Sequence, residues 1–143
     1  YFRLDLWESC LQLLGMDNRW LTGIGLGPLT YRYNLELVAE QRVAEGMPHT
    51  QMLYIELIME WGIMGFISYM WFICQKIVRG AFAIFKAKDA YVKGALIASI
   101  SSFLGISILS IFEYIWFYPR ILFAHFILLG ILISCTMMSA KEY

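Results

Sequence analysis

Two long runs without charged side chains dominate the second half of the chain. One covers residues 94–112. The other covers residues 121–138, where His125 stands out as a polar side chain. A membrane-spanning helix needs about 20 predominantly apolar residues in succession. Both runs are therefore long enough to cross a bilayer, and small residues such as Ala98 and Gly105 in the first run predict close approach of a neighbouring helix.

A third uncharged run, residues 61–74, is too short to span a bilayer by itself. Its helix must begin earlier, which places Glu56 and Glu60 in the first turns, four residues apart and on one face. Carboxylates at that depth face protein or a wet cavity rather than lipid. The apolar pattern thus predicts three transmembrane helices, at about 52–78, 91–112 and 119–138.

The first 51 residues have a different pattern, in which apolar positions recur at helical spacing among charged ones. Residues 2–14 predict an amphipathic surface helix with one buried stripe, formed by Leu4, Trp7, Leu11 and Leu14. The glycine-rich residues 15–28 predict an irregular segment with a tight backbone turn against the membrane face. Residues 30–45 predict a second surface helix, ended by Gly46 and Pro48.

Composition and charge placement agree with a membrane protein and predict its orientation. The chain is 60% hydrophobic with a mean hydropathy of +0.64, whereas soluble domains are about 45–50% apolar. Formal net charge is zero, so net charge by itself says nothing about partners, and no nucleic-acid partner is expected. Basic residues outnumber a single Asp89 within residues 75–93, and a basic excess in a short loop marks the cytoplasmic side. Residues 75–93 are therefore predicted as a cytoplasmic loop, and residues 1–51 as an extracytoplasmic segment.

Cysteine and histidine positions predict neither a disulfide framework nor a metal site. The chain has three cysteines and two histidines, and no Cys/His pair has the spacing of metal ligands. No metal and no cofactor are therefore expected. The chain does not begin with Met and opens inside the first predicted helix, so we expect it to be the C-terminal part of a longer protein.

The candidate chemistry lies in the extracytoplasmic segment, whose cations are all arginines: Arg3, Arg19, Arg32 and Arg42. The planar guanidinium binds phosphate oxygens with two parallel hydrogen bonds, so such a surface suits a lipid-linked diphosphate. The alternative is that these arginines only keep surface helices soluble.

Two histidines are candidates for proton transfer. His49 directly precedes the first transmembrane helix at the outer mouth of the bundle, and histidine is the side chain best suited to accept a proton near neutral pH. A structural role for His49 remains open. His125, alone within an apolar helix, is more typical of a packing or hydrogen-bonded histidine.

Several short motifs lie one after another along the chain. They are Arg-Leu-Asp-Leu-Trp at 3–7, a glycine loop at 21–27, Pro-His-Thr-Gln-Met-Leu-Tyr at 48–54, Glu-Trp-Gly-Ile-Met-Gly-Phe at 60–66, and Phe-Glu-Tyr with Tyr-Pro-Arg at 112–120. Together they resemble the O-antigen ligase and O-antigen polymerase family of bacterial envelope glycosyltransferases. The family usually has Asn or Ser after its histidine, where this chain has Thr50 and Gln51.

The resemblance implies an all-α, polytopic integral membrane protein in which this chain is part of a larger GT-C-like bundle. It implies a bacterial inner membrane location with an extracytoplasmic active face. The donor would be an undecaprenyl-diphosphate-linked oligosaccharide, and the acceptor a glycan or glycolipid. The chain alone would be inactive, because the family uses a further arginine from an earlier outer loop.

The resemblance also implies roles for particular residues. His49 matches the family's essential histidine, which takes a proton from the acceptor hydroxyl, and Arg3 matches the arginine that stabilises the leaving diphosphate without a metal ion. Arg32 and Arg120 could extend the anionic substrate site. Glu60 could orient His49 or cap a polar cavity.

Other functions remain open at this point. A ligase to the lipopolysaccharide core and a polymerase of surface polysaccharide or exopolysaccharide cannot be separated. A transporter or flippase would use Glu56, Glu60 and Glu113 as coupling carboxylates. A membrane assembly subunit without chemistry of its own would tolerate substitution of His49 and Arg3.

Overall fold

The structure is a computed structural model that describes residues 2–27 and 50–141. These residues form four α-helices: α1 (Phe2–Gly15), α2 (Leu53–Lys86), α3 (Ala90–Phe112) and α4 (Pro119–Lys141). Two 3-10 turns, Met16–Asn18 and Ile115–Phe117, follow α1 and precede α4. The second predicted surface helix, at residues 30–45, lies outside the described residues.

The three long helices are each long and apolar enough to cross a membrane. Their most apolar stretches have mean hydropathies of 1.5, 2.1 and 2.3, and no more than 22% of the residues in any stretch are buried. Side chains that stay exposed at this hydropathy are stable only against lipid or further protein. The described residues are thus all-helical, as expected of a multi-pass membrane protein.

The prediction of a basic loop at 75–93 was wrong over most of its length. Helix α2 continues to Lys86 rather than ending near residue 78, because residues 79–86 contain no proline and Gly80 packs closely on another helix. Only residues 87–89 connect α2 to α3. The backbone N–H of Tyr91 donates to Asp89 Oδ1 at 2.8 Å, a side-chain cap that starts α3.

The chain divides into two compact units. The first contains Tyr1–Tyr69 and Ser110–Tyr114, and the second contains Met70–Leu109 and Ile115–Tyr143. In the first unit, one face of α1 packs on the start of α2. This core consists of Leu6, Cys10, Leu13, Leu14 and Met59.

Only part of the predicted stripe, including Leu14, lies on the buried face of α1. Leu4 and Leu11 are 61% and 50% exposed, whereas Leu6 and Cys10 are fully buried. Helix α1 is apolar on more than one face, so helical spacing alone fits two stripes. The contact with Met59 on α2 decides which of them is buried.

The second unit has a core built around His125. The His125 ring is 4% exposed and lies edge-on to Phe103 and Trp116, with ring centroids 5.0 and 5.2 Å away. This is the packing role that the sequence favoured. Ala98 and Gly105, predicted to lie against a neighbouring helix, are exposed, and a Cβ atom at Gly105 would meet nothing within 4 Å.

Candidate functional site

The first unit contains a break in α2 at Gly62. The Gly62 backbone has φ 70° and ψ 178°, far from helical values, although helix continues on both sides. In a regular helix each N–H binds the carbonyl four residues earlier. The break therefore frees backbone groups on both sides, which need other partners if they are buried.

The glycine loop at 21–27, together with Trp20 before it, supplies those partners. The N–H of Ile24 donates to the Met59 carbonyl at 2.7 Å, and the N–H of Gly25 donates to the Glu60 carbonyl at 3.2 Å. In return the N–H of Ile63 donates to the Trp20 carbonyl at 2.8 Å. The loop thus replaces the missing helical hydrogen bonds and is seated in the break, while its predicted position against the membrane face stays a prediction.

Two glycines let the loop and the break meet backbone to backbone. A Cβ atom at Gly23 would lie 2.5 Å from the Glu60 carbonyl oxygen and 2.6 Å from the Gly62 nitrogen. A Cβ atom at Gly62 would overlap the Leu21 carbonyl group and lie 2.6 Å from the Thr22 nitrogen. Both glycines have positive φ, where other residues are disfavoured.

Glu60 anchors the far end of the same loop. Its Oε1 accepts a hydrogen bond from the Gly27 N–H at 3.1 Å, while its carbonyl accepts one from Gly25. The residue predicted to bind substrate or orient His49 therefore holds the glycine loop on α2. Its predicted contact with substrate stays a prediction.

Thr50, the residue that follows His49 in the sequence, is fully buried and held at three points. Its N–H donates to Glu56 Oε2 at 2.7 Å. Its carbonyl accepts a hydrogen bond from Trp7 Nε1 at 3.0 Å, and its hydroxyl donates to the Met52 carbonyl at 2.9 Å. Glu56 and Trp7 thus fix the backbone at Thr50 from α2 and α1.

Gln51 is strained at the next position. Its φ of 59° lies in the left-handed region, which costs an L-residue about 1–2 kcal/mol. Such strain persists only where surrounding contacts enforce it, and it clusters at functional sites. The neighbouring Thr50, held by its three hydrogen bonds, fixes the backbone on the N-terminal side of Gln51.

Tyr114 adds a hydroxyl to the first unit. Burial raises the pKa of Tyr114, and the carboxylates of Glu60 and then Glu56 raise it further. The phenol therefore stays protonated at neutral pH. In the sequence Tyr114 was noted only as part of the Phe-Glu-Tyr motif, because its proximity to two carboxylates depends on tertiary structure.

The structure places only some of the predicted site residues. Glu60 belongs to the site just described. Arg3 lies on α1, the helix whose Trp7 contacts that site at Thr50. Arg120 is exposed in the first turn of α4, in the other unit. His49 and Arg32 lie outside the described residues, as does the side chain of Arg3. Within residues 2–27 and 50–141, no three His, Cys, Asp or Glu side chains are grouped to hold a metal ion.

Glu56 is the residue that sequence reasoning missed as part of this site. It was recognised as a carboxylate that had to face protein or a cavity, and as a coupling carboxylate in the transporter alternative, but not as a ligand of Thr50. The available signal was its place one turn into an apolar helix, directly after the Pro-His-Thr motif. Its partner, a backbone N–H, has no signature in the sequence.

No family model, curated protein or solved structure matches the chain. The resemblance to the O-antigen ligase and polymerase family therefore rests on its short motifs. The function is inferred from those motifs and from the site's residues and geometry.

Replacing Glu56 with leucine is expected to lower the free energy of unfolding by about 1–3 kcal/mol, because the buried N–H of Thr50 would lose its acceptor. Glu56→Gln keeps a carbonyl oxygen there and should cost less. Thermal unfolding of the detergent-solubilised protein measures both, with the exposed Glu8→Gln as control. A Glu56→Leu variant that melts with the wild type would contradict the assigned role.

Proposed function

We propose that the protein is a membrane glycosyltransferase that moves a glycan from an undecaprenyl-diphosphate donor to an acceptor sugar, as an O-antigen ligase or a surface polysaccharide polymerase. The observation that carries this proposal is the hydrogen bond from Trp7 Nε1 to the Thr50 carbonyl. It joins the two motifs that hold the candidate catalytic residues.

The two motifs supply complementary chemistry. Arg3 is four residues before Trp7, about one turn earlier on α1. His49 is the residue before Thr50 in the sequence. A bond between Trp7 and Thr50 therefore links a helix that carries a phosphate-binding cation to a segment that carries a proton acceptor. These are the two groups that a metal-independent transfer from a lipid diphosphate requires.

In the proposed reaction, His49 takes the proton from an acceptor hydroxyl. The resulting oxygen nucleophile attacks the anomeric carbon of the donor sugar, and a new C–O bond forms. The bond from that carbon to the diphosphate oxygen breaks, and its electron pair leaves with undecaprenyl diphosphate. Arg3 stabilises this negative charge through charge-assisted hydrogen bonds, and Arg32 and Arg120 extend the anionic site.

Glu56 and Glu60 are positioning residues in this proposal. Each carboxylate accepts a backbone N–H, Glu56 from Thr50 and Glu60 from Gly27. They hold the two chain segments that flank residues 28–49, which contain both His49 and Arg32. Strain at Gln51 supports a segment kept in place for function rather than for stability.

The proposal is tested by reconstituting the full-length protein with an undecaprenyl-diphosphate oligosaccharide and a candidate acceptor, with EDTA present. Transfer of glycan to the acceptor and release of undecaprenyl diphosphate are expected. Transfer that occurs only after a divalent metal is restored would contradict the metal-independent mechanism. Retention of all glycan on the lipid, with every acceptor tried, would contradict the proposed reaction.

A transporter is the second candidate, and the break in α2 favours it. Helices interrupted near carboxylates are typical of secondary transporters, whose unwound segments coordinate ions or substrates. Here, however, Glu60 binds the Gly27 N–H and the freed carbonyls of Met59 and Glu60 bind the glycine loop. The same proteoliposomes distinguish the two candidates, since a transporter moves the lipid-linked glycan across the bilayer without breaking its glycosidic bond.

A further inference from the structure

The second unit contains a basic groove between the end of α2 and the end of α4. Its volume is about 460 Å³, and its lining includes Arg79, Phe82, Lys86, Thr136, Met137 and Ser139. A smaller adjoining hollow of about 200 Å³ shares Arg79, Thr136 and Met137 and adds Lys76. Together these two hollows are called the basic groove.

Close helix packing forms the floor of the basic groove. Ser139 donates a hydrogen bond to the Ala83 carbonyl on α2 at 3.0 Å, and both residues are buried. A Cβ atom at Gly80 would come within 2.7 Å of Leu132 on α4. The two helices therefore approach closely at the small residues Gly80 and Ala83 of α2.

Cations line one side of the basic groove. Arg79 and Lys86 are seven residues apart on α2, which is two turns and about 10 Å along one face. Lys76 lies one turn before Arg79, with its Nζ 5.1 Å from the centre of the Phe72 ring. None of the described residues that line the groove is acidic. The Arg79 and Lys86 side chains are long enough to converge on one phosphate group placed between them.

Exposed apolar side chains accompany these cations. Phe82 lies between Arg79 and Lys86 in the sequence and is 67% exposed, and Met137 is 58% exposed on α4. A soluble anion would gain nothing from these surfaces, whereas the acyl chains of a lipid would cover them. Basic pockets between transmembrane helices bind anionic lipid headgroups in this manner.

We propose that the basic groove binds an anionic membrane phospholipid, with its headgroup phosphate between Arg79 and Lys86 and its acyl chains along Phe82 and Met137. The site lies at the end of α2 remote from Glu56 and Glu60 in the sequence. It does not depend on the proposed glycosyl transfer, and its failure would leave that proposal untouched.

Lipid binding is measured by native mass spectrometry of the full-length protein in a nonionic detergent. The protein is titrated with phosphatidylglycerol or with phosphatidylcholine of the same acyl chains. Wild type is expected to retain phosphatidylglycerol preferentially. The double variant Arg79→Gln/Lys86→Gln should bind it about tenfold to thirtyfold more weakly, since each cation near the membrane surface contributes about one kcal/mol to the binding of anionic lipid.

The matched control is Lys88→Gln/Lys93→Gln, which removes the same charge from exposed residues outside the groove. Its affinity for phosphatidylglycerol should stay close to that of wild type. Equal weakening in both double variants would show general charge attraction and overturn the site. An equal retention of both lipids by wild type would overturn it as well.

Two further measurements separate lipid binding from binding of a soluble phosphate compound, and a ligand role of the cations from a structural one. Glycerol 1-phosphate in excess is expected not to displace phosphatidylglycerol. Efficient displacement would assign the groove to a soluble phosphate compound instead and overturn the lipid proposal. The melting temperatures of both double variants should match wild type, because all four replaced residues are exposed. A large drop for Arg79→Gln/Lys86→Gln alone would make the cations structural and overturn their role as ligands.

Discussion

Replacing Gly62 with alanine is expected to destabilise the protein by about 3 kcal/mol or more, from backbone strain at positive φ together with overpacking. The added Cβ atom would overlap the Leu21 carbonyl group, which is backbone and cannot rotate away. Relief of the overlap would separate the glycine loop from α2. The hydrogen bonds that satisfy Met59, Glu60 and Ile63 would then be lost as well.

Gly23→Ala should have a comparable effect, because its Cβ atom would meet the same backbone from the loop side. The double variant should cost less than the sum of the two, since both changes break one contact. Thermal unfolding in detergent, followed by size-exclusion of the soluble protein, measures all three variants.

Gly105→Ala is the matched control for this series. It lies within α3, where an added Cβ atom would meet nothing within 4 Å, and alanine is the better helix former by about 0.5–1 kcal/mol. The control should melt at or above the wild-type temperature. If Gly62→Ala melted alongside Gly105→Ala, the loop would not be seated in the helix break.

Replacing His49 with alanine is expected to lower the rate of glycan transfer on the order of a hundredfold or more, as the loss of a general base does. Oligosaccharide transfer by the full-length protein in proteoliposomes provides the measurement. Binding of the lipid-linked donor should persist, because the proposed diphosphate contact comes from Arg3. The melting temperature should change little.

His125→Phe serves as the control for histidine removal. The His125 ring packs edge-on against Phe103 and Trp116, and phenylalanine preserves a ring of similar size in that cluster. Transfer is therefore expected to continue at the wild-type rate. Equal activity in wild type and His49→Ala would make His49 structural, and the proposed mechanism would be abandoned.

The positions of the three long helices could be predicted from the sequence because the requirement for about 20 apolar residues is local. Residues 94–112 and 121–138 satisfy it without help from any neighbour. Local chemistry also marks where helices begin. Pro119 opens α4 as predicted, since its missing N–H costs nothing in a first turn.

The length and continuity of α2 depended on other parts of the chain. Residues 79–86 were predicted as part of a cytoplasmic loop, yet they continue the helix, and Ser139 of α4 contacts that extension at Ala83. The break at Gly62 could not be predicted from the sequence for the same reason. A single glycine in an apolar run is compatible with an uninterrupted helix, and only the loop around Gly23 supplies partners for the freed backbone groups.

The sequence by itself determined which residues are apolar enough for a membrane and which types of side chain could do chemistry. Tertiary structure decided which face of α1 is buried, where the glycine loop lies, and that Glu56 rather than Glu60 binds Thr50. The physical reason is the separation along the chain of the residues that interact. Hydropathy and helix starts are properties of neighbouring residues, whereas each of these outcomes rests on a contact between segments distant in the chain. The contacts of the glycine loop and of Glu56 are moreover made to backbone atoms, which every residue possesses.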